Sequence, residues 1–323
     1  MKNREYCVNI YKVIFQTNLN SIIKANLPKN QMKLLKIKKK EGRYIEKLLN
    51  PKTDYVFKRI FGYRGNEEIT ANLLSSILEK PINNLQLNCN PILEKDLLDD
   101  KVGILDIRAK IDNTINCNIE MQIVDRKNIE NRILFYWSKM FNSSIKSSQN
   151  YDKLEKTIVI LITDYELTNF KEIKKYITKW QIREDDYKEI LLTDKLNICI
   201  IELPKFKKYA KKSQNVELNS WIKFMNNPKE MENMENSNKQ IEKAKEVLKE
   251  ISQDEREIYL AELREKYIMD QKAIEDAGYD KGVIAGSEAK TIEVIRKMKE
   301  KNIDIEIIKE ISGKTKEEIE KIN

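Results

Sequence analysis

A chain of 323 residues, 35% of them charged, can bury a substantial core as one large or two ordinary domains. It has no histidine, and its four cysteines (Cys7, Cys89, Cys117, Cys199) show no paired spacing; this excludes histidine-relayed nucleophiles, histidine-ligated zinc and CxxC zinc sites, and argues against a disulfide framework. The formal net charge of +8 is uneven, because residues 1–65 hold 16 Lys and Arg against 4 Asp and Glu.

The cysteine usage fits a reducing cytoplasm. No apolar run approaches the roughly 20 residues of a membrane-spanning helix. The start, MKNREYCVNIYKVIFQTNLN, lacks a clean apolar core and a small-residue cleavage site, which argues against a secretory signal. The basic leading segment has two readings: it suits a polyanionic partner such as nucleic acid, and it equally describes a lysine-rich solvated surface. With histidine absent, any hydrolytic chemistry falls to carboxylates, amides and lysines around a hard cation. Gly313-Lys314-Thr315 is not a phosphate loop, since that pattern needs glycine where Ile308 stands and no strand precedes it.

Residues 1–47 read as a basic N-terminal extension, with Met32 as an alternative start. From Leu48 the pattern becomes globular. Asp54 is placed to cap a helix bearing Val56, Phe57, Ile60 and Phe61, which Gly62 stops. A second helix over Glu67–Leu78 would bury Ile69, Leu73, Leu74 and Ile77 ahead of Pro81. Strand-like runs follow at Leu85–Asn88, Gly103–Ile111 and Cys117–Val124. A helix over about Asn128–Ser148 carries Ile133, Tyr136, Trp137, Met140 and Phe141. TIVILIT (157–163) and LNICIIEL (196–203) are continuous apolar runs, as expected of strands covered on both faces. The α-β-β-β-α-β order predicts an α/β fold with a mixed central sheet flanked by helices.

Residues 48–226 thus form the expected main domain, and 227–240 a polar linker. Residues 241–275 have helical periodicity with heavy charge and predict an exposed amphipathic arm. Gly278, Gly282 and Gly286 then recur every four residues, predicting close helix contact or flexibility in a soluble setting. The tail from Thr291 reads as a small helical module, with Asp304 as a cap and Thr315 with Glu318 as a capping box. For this module, oligomerisation or packing outweighs base reading, since no recognition helix is identifiable.

The stretch GILDIRAKIDNTINCNIEMQI (103–123) places acids where a covered sheet wants apolar side chains. By strand alternation Asp106, Arg108 and Lys110 share one face, and Asn118, Glu120 and Gln122 share a face of the next strand. A tight turn near Asp112-Asn113-Thr114 sets Asp106 across from Glu120; a slip of two residues sets it across from Gln122. Facing carboxylates repel. Either a divalent cation compensates, or the face is solvent-exposed and its acids pair with Arg108 and Lys110.

Four segments stand in an order that resembles the Rpn family, the recombination-promoting nuclease/putative transposase branch of the PD-(D/E)XK nucleases. They are NPKTDYVFKRIFG (50–62), DDKVGILDIRAK (99–110), NIEMQI (118–123) and NRILFYWSKMF (131–141), and the tail MKEKNIDIEIIKEISGKTKEEIEKI resembles the family's ending. The resemblance implies a restriction-endonuclease-like core and metal-dependent endonucleolytic hydrolysis of DNA phosphodiesters, linked to recombination or mobile elements. Asp106 and Glu120 would hold Mg²⁺, or Mn²⁺ in its place, and with Gln122 would form the catalytic set. Gln122 departs from the lysine common in the wider superfamily: an amide can orient water but supplies no positive charge, a lack that Lys110 or Lys101 would have to fill. Asp54, at the first motif, is read as a helix cap rather than a third ligand. Arg132, one turn from Tyr136, would meet either a phosphate or a sheet carboxylate. Lys58, Arg59 and the basic leading segment would track the DNA backbone. Two alternatives stand beside this one: an inactive, DNA-binding transposase-like protein, and a scaffold that self-associates through its C-terminal helices.

Overall fold

The structure, a computed structural model, describes residues 48–88, 106–125, 128–210, 215–229 and 238–322. Lys101, the N-terminal extension and most of the expected linker lie outside the described residues.

Helix α1 (Asp54–Phe61) turns Tyr55, Val56, Phe57, Ile60 and Phe61 into the core. Its N-cap position is held by Thr53 and not, as expected, by Asp54, which lies inside the first turn and whose carboxylate is held by a distant arginine. Gly62 ends the helix where a side chain has no room: a Cβ there would meet Ile107 Cγ1 at 2.9 Å and Lys58 Cγ at 3.0 Å. Helix α2 (Glu67–Leu78) has the expected bounds and stops at Glu79, whose φ of 56° breaks the helical run.

A six-stranded sheet follows: β1 (Leu85–Leu87), β2 (Ile107–Ile111), β3 (Ile115–Gln122), β4 (Lys156–Thr163), β5 (Ile177–Trp180) and β6 (Leu196–Glu202), in spatial order β1-β2-β3-β4-β6-β5. β1, β2 and β3 are antiparallel, β3, β4 and β6 are parallel, and β5 closes the edge antiparallel to β6. The β2–β3 hairpin turns through Asp112 and Asn113, both left-handed at φ 46° and 59°, a conformation that Asp and Asn tolerate better than most residues. The Asp112 carboxylate also accepts from the backbone N–H groups of Asn83 and Asn84, tying the turn to the loop before β1.

The sheet has a core on each side. Cys117, Ile119 and Met121 of β3 and Ile158, Ile160 and Ile162 of β4 pack with α1, α2, α5 (Val216–Asn226) and α6 (Lys239–Gln253). Val159 and Leu161 of β4, with Ile198 and Ile200 of β6, pack under α3 (Ile129–Ser143) through Ile129 and Ile133. Both faces of β4 are therefore apolar, as the run TIVILIT predicts. Helix α3 ends at Ser143, short of the predicted Ser148.

β5, α4 (Leu203–Tyr209) and α5 were not anticipated. Helix α5 is central: Trp221, Ile222, Phe224 and Met225 are fully buried.

The expected exposed arm from residue 241 is a correction of the same kind. Helix α6 buries Ile241, Ala244, Leu248 and Ile251 in the main core. Helix α7 (Glu255–Glu300) runs for 46 residues from an Asp254 cap and is packed down as far as Ile268. Only beyond that is the helix exposed, and Gly278, Gly282 and Gly286 lie there inside continuous helix with no atom within 4 Å of a built Cβ. Among the described residues they neither break the helix nor make a close contact. At the far end Ile295 packs with Ile308 of α8 (Ile305–Ser312) and Ile319 of α9 (Lys316–Lys321). Asp304 caps α8, and Thr315 with Glu318 forms the capping box on α9, as the sequence indicates.

Candidate active site

The register of the β2–β3 hairpin decides which acids meet. Ile107 pairs with Ile119 and Ile111 with Ile115, so one further step sets Asp106 opposite Glu120 and excludes the two-residue slip. The odd-numbered side chains of β3 fill the main core, and strand alternation turns Asn118, Glu120 and Gln122 toward α3. This polar face is not solvent-exposed, which corrects one of the two sequence readings. Asp106 is 8% exposed and Glu120 2%.

A buried carboxylate is costly unless charge and hydrogen bonds meet it. For Glu120 both are present. Arg132, in the first turn of α3, brings Nη2 within 2.5 Å of Glu120 Oε1, and the Gln122 side-chain amide donates to the same oxygen at 2.6 Å. The guanidinium also lies 5.5 Å from the ring centre of Tyr136, one turn along. Of the two partners expected for Arg132, the sheet carboxylate is the one it meets.

Asp106 is served less well. Burial pushes its carboxyl above the usual aspartate range, opposed by Arg132, Arg108, a hydrogen bond with Asn118 and Lys58. Its Oδ2 is buried with no hydrogen-bond partner among the described residues. An unsatisfied buried oxygen costs about 1–3 kcal/mol, and such atoms call for a reason, an absent ion being one.

The remaining sequence candidates divide. Lys58 is buried, 5% exposed, and its charge acts on Asp106, so it is not a surface lysine. Arg59 faces away, its Nε 2.7 Å from Glu257 of α7 and its guanidinium over the Tyr63 ring. Lys110 shares the Asp106 face but stands at the other end of the hairpin, bonded to Glu155 and Asn116. Asp54 is held by Arg264 of α7. Two residues acquire places that sequence reading did not give them. Asn118, almost fully buried, hydrogen-bonds Asp106; its only signal was its share in the alternation. Lys52 forms a 2.7 Å ion pair with Asp164, whose N–H donates to the Gln122 carbonyl across the β3–β4 pair; nothing in the local pattern marks that contact.

A family model described as PD-(D/E)XK nuclease family transposase matches residues 51–278. The chain belongs to that family. In keeping with that family it carries a restriction-endonuclease-like α/β fold, a mixed six-stranded sheet flanked by helices. The matched region opens just before α1 and ends inside α7, so α6 and the packed part of α7 belong to it. No curated protein and no solved structure matches the chain.

PD-(D/E)XK nucleases generally use divalent metals, and the donors here suit one. Among the described residues no cluster of three or more acids, cysteines or histidines is placed to hold an ion. Two opposed carboxylates, one with an unpartnered buried oxygen, are nevertheless the kind of hard-oxygen set that binds Mg²⁺ while leaving most of its coordination to water and phosphate.

Proposed function

We propose that this chain is an endonuclease that hydrolyses DNA phosphodiester bonds with Mg²⁺, or Mn²⁺ in its place, and that it serves recombination or element mobility in the cytoplasm. The observation that carries this reading is the buried pair of Asp106 and Glu120, brought opposite each other by the hairpin register with Asp106 Oδ2 unpartnered. A divalent cation bound there would make a water nucleophilic near neutral pH and offset charge on the phosphate. Asp106 and Glu120 would hold that ion. Gln122, whose side-chain amide donates to Glu120, would orient the attacking water. Arg132 would keep Glu120 in its geometry and lend positive charge to the phosphate side of the pocket. The basic leading segment, residues 1–65, would add salt-dependent contacts to the DNA backbone. A transposase role draws on the family description alone.

Cleavage of supercoiled plasmid tests this reading. Nicking with Mg²⁺ or Mn²⁺, abolished by EDTA and by both Asp106→Ala and Glu120→Ala, supports it; nicking that survives both substitutions overturns the site.

The alternative of a DNA-binding protein with an inactive core draws on one observation, that Glu120 Oε1 already receives both Arg132 and Gln122. It predicts gel-shifted DNA and no cleavage with any metal. We also infer self-association through the exposed part of α7, where Ile274, Tyr279, Val283 and Ile284 face solvent around the three glycines. An isolated helix this exposed gains little from packing within its own chain, and a second copy laid antiparallel would set Gly278 against Gly286 about Gly282.

A further inference from the structure

Two buried side-chain oxygens on one face of the β2–β3 hairpin have no hydrogen-bond partner among the described residues: Oδ2 of Asp106 and Oδ1 of Asn118. The second has no part in the arrangement described so far. Asn118 is 1% exposed. It pairs with Arg108 across the hairpin and precedes Glu120 by two positions on β3, so it shares a face with Glu120 and with Asp106. Its amide hydrogen-bonds Asp106. An ionised carboxylate only accepts, so that bond uses the amide NH₂ and leaves the carbonyl oxygen of Asn118 without a donor.

Packing does not require an amide at this position. The register partner of Asn118 on β4 is Val159, part of the apolar core under α3, and a leucine of much the same shape would suit that neighbour. A buried carbonyl left unmet is costly and calls for a reason. The chemistry of the face supplies one. Oε1 of Glu120 already receives both Arg132 and Gln122, so a cation at this face is short of protein oxygens. Mg²⁺ and Mn²⁺ accept carbonyl as well as carboxylate oxygen. A neutral oxygen also adds a donor without adding a third negative charge to two carboxylates that already repel.

Given the metal-dependent nuclease reading above, on which this inference rests, we propose that Asn118 is a third protein ligand of the metal, giving its side-chain carbonyl oxygen to the ion that Asp106 and Glu120 hold. β3 thus contributes two donors on one face, Asn118 and Glu120, and β2 contributes one.

The test compares the full chain with Asn118→Leu and Asn118→Cys. Calorimetric binding of Mn²⁺ and of Cd²⁺ without DNA is measured for each, together with the ultraviolet absorption of a cadmium–thiolate bond. Asn118→Leu keeps the shape and removes the donor, and is expected to weaken Mn²⁺ about tenfold or more. Asn118→Cys is expected to weaken Mn²⁺ as well, but to bind Cd²⁺ about tenfold or more tighter than wild type, because a thiolate favours the softer ion. It should also show a thiolate absorption band with Cd²⁺ that wild type, with its own four cysteines, does not. A residue that merely holds Asp106 in place would not produce that band. Asn118→Cys, with its small side chain, keeps the test open if Asn118→Leu is unfolded at the assay temperature. Absence of the new band overturns the ligand role. If Mn²⁺ is nevertheless weakened, Asn118 is a positioning residue that acts through Asp106. Mn²⁺ affinity of a folded Asn118→Leu within about threefold of wild type likewise overturns the ligand role, and leaves the site at Asp106 and Glu120 standing. A wild type whose Mn²⁺ binding is unchanged by Asp106→Ala and Glu120→Ala ends the metal reading itself, and the role of Asn118 falls with it.

Discussion

Arg264 of α7 holds Asp54 of α1 in a two-pronged ion pair, with Nη2 2.7 Å from Oδ2 and Nε 3.1 Å from Oδ1, across 210 positions of sequence. Around it Glu257 accepts from both Arg59 and Tyr55, and Glu265 accepts from Thr53. The first half of α7 is thereby fastened to the helix that carries Lys58. Both partners are largely buried, with side chains 6% and 14% exposed. Removing one partner strands the other, so Arg264→Ala should destabilise the fold by about 3–5 kcal/mol. Denaturant unfolding measures it, and a loss under about 1 kcal/mol would return α7 to the status of a loosely attached arm.

Arg132→Ala makes a second case. It leaves Glu120 buried without its cation, at a cost of about 3–5 kcal/mol. Because a ligand that binds only the folded state stabilises it, Mg²⁺ should raise the melting temperature of Arg132→Ala more than that of wild type. An equal shift in both would separate Arg132 from the metal site.

The raised carboxyl of Asp106 has a direct consequence for pH dependence. With the folded value above the unfolded one, the folded state binds the extra proton, so this group's favourable contribution is complete below the ordinary pKa of about 3.9. It is lost as pH rises through the folded value. Metal-free Asp106→Asn should therefore melt higher than wild type at pH 7, and the gap should close toward pH 4. Saturating Mn²⁺ should narrow or reverse the difference at pH 7, because only the ionised carboxylate competes for the ion. A gap that does not change with pH would place the burden on another group.

Gly282 lies at the middle of the exposed part of α7, with no neighbouring atom within 4 Å of a built Cβ. Gly282→Arg should leave the monomer folded, while light scattering should show a dimeric wild type become monomeric. A wild type that is already monomeric at tens of micromolar would rule out self-association through this helix.

The sequence made the hairpin legible because two kinds of signal coincide there: a Asp-Asn turn and strict alternation on both strands. The parallel strands were legible for the opposite reason, continuous apolar runs. What stayed hidden depended on contacts far along the chain. Ile241, Ala244 and Leu248 form a buried stripe on α6, but lysines and glutamates on its other faces gave it the composition of a solvated arm. Asp54 reads as a cap because its partner Arg264 is visible only in three dimensions. Lys58 reads as surface charge for the same reason: only the packing of Ile107 over Gly62 shows that its stem is enclosed. The edge strand β5, Ile177–Trp180, is too short for periodicity to mark.

The central claim is that Asp106 and Glu120 form one metal site. An anomalous difference map from crystals soaked in Mn²⁺ tests it most directly. The account predicts a single strong peak within coordination distance of Asp106 Oδ2, shared with Glu120 and absent in Asp106→Asn. A fully occupied Mn²⁺ peak elsewhere, with none at Asp106, would contradict it.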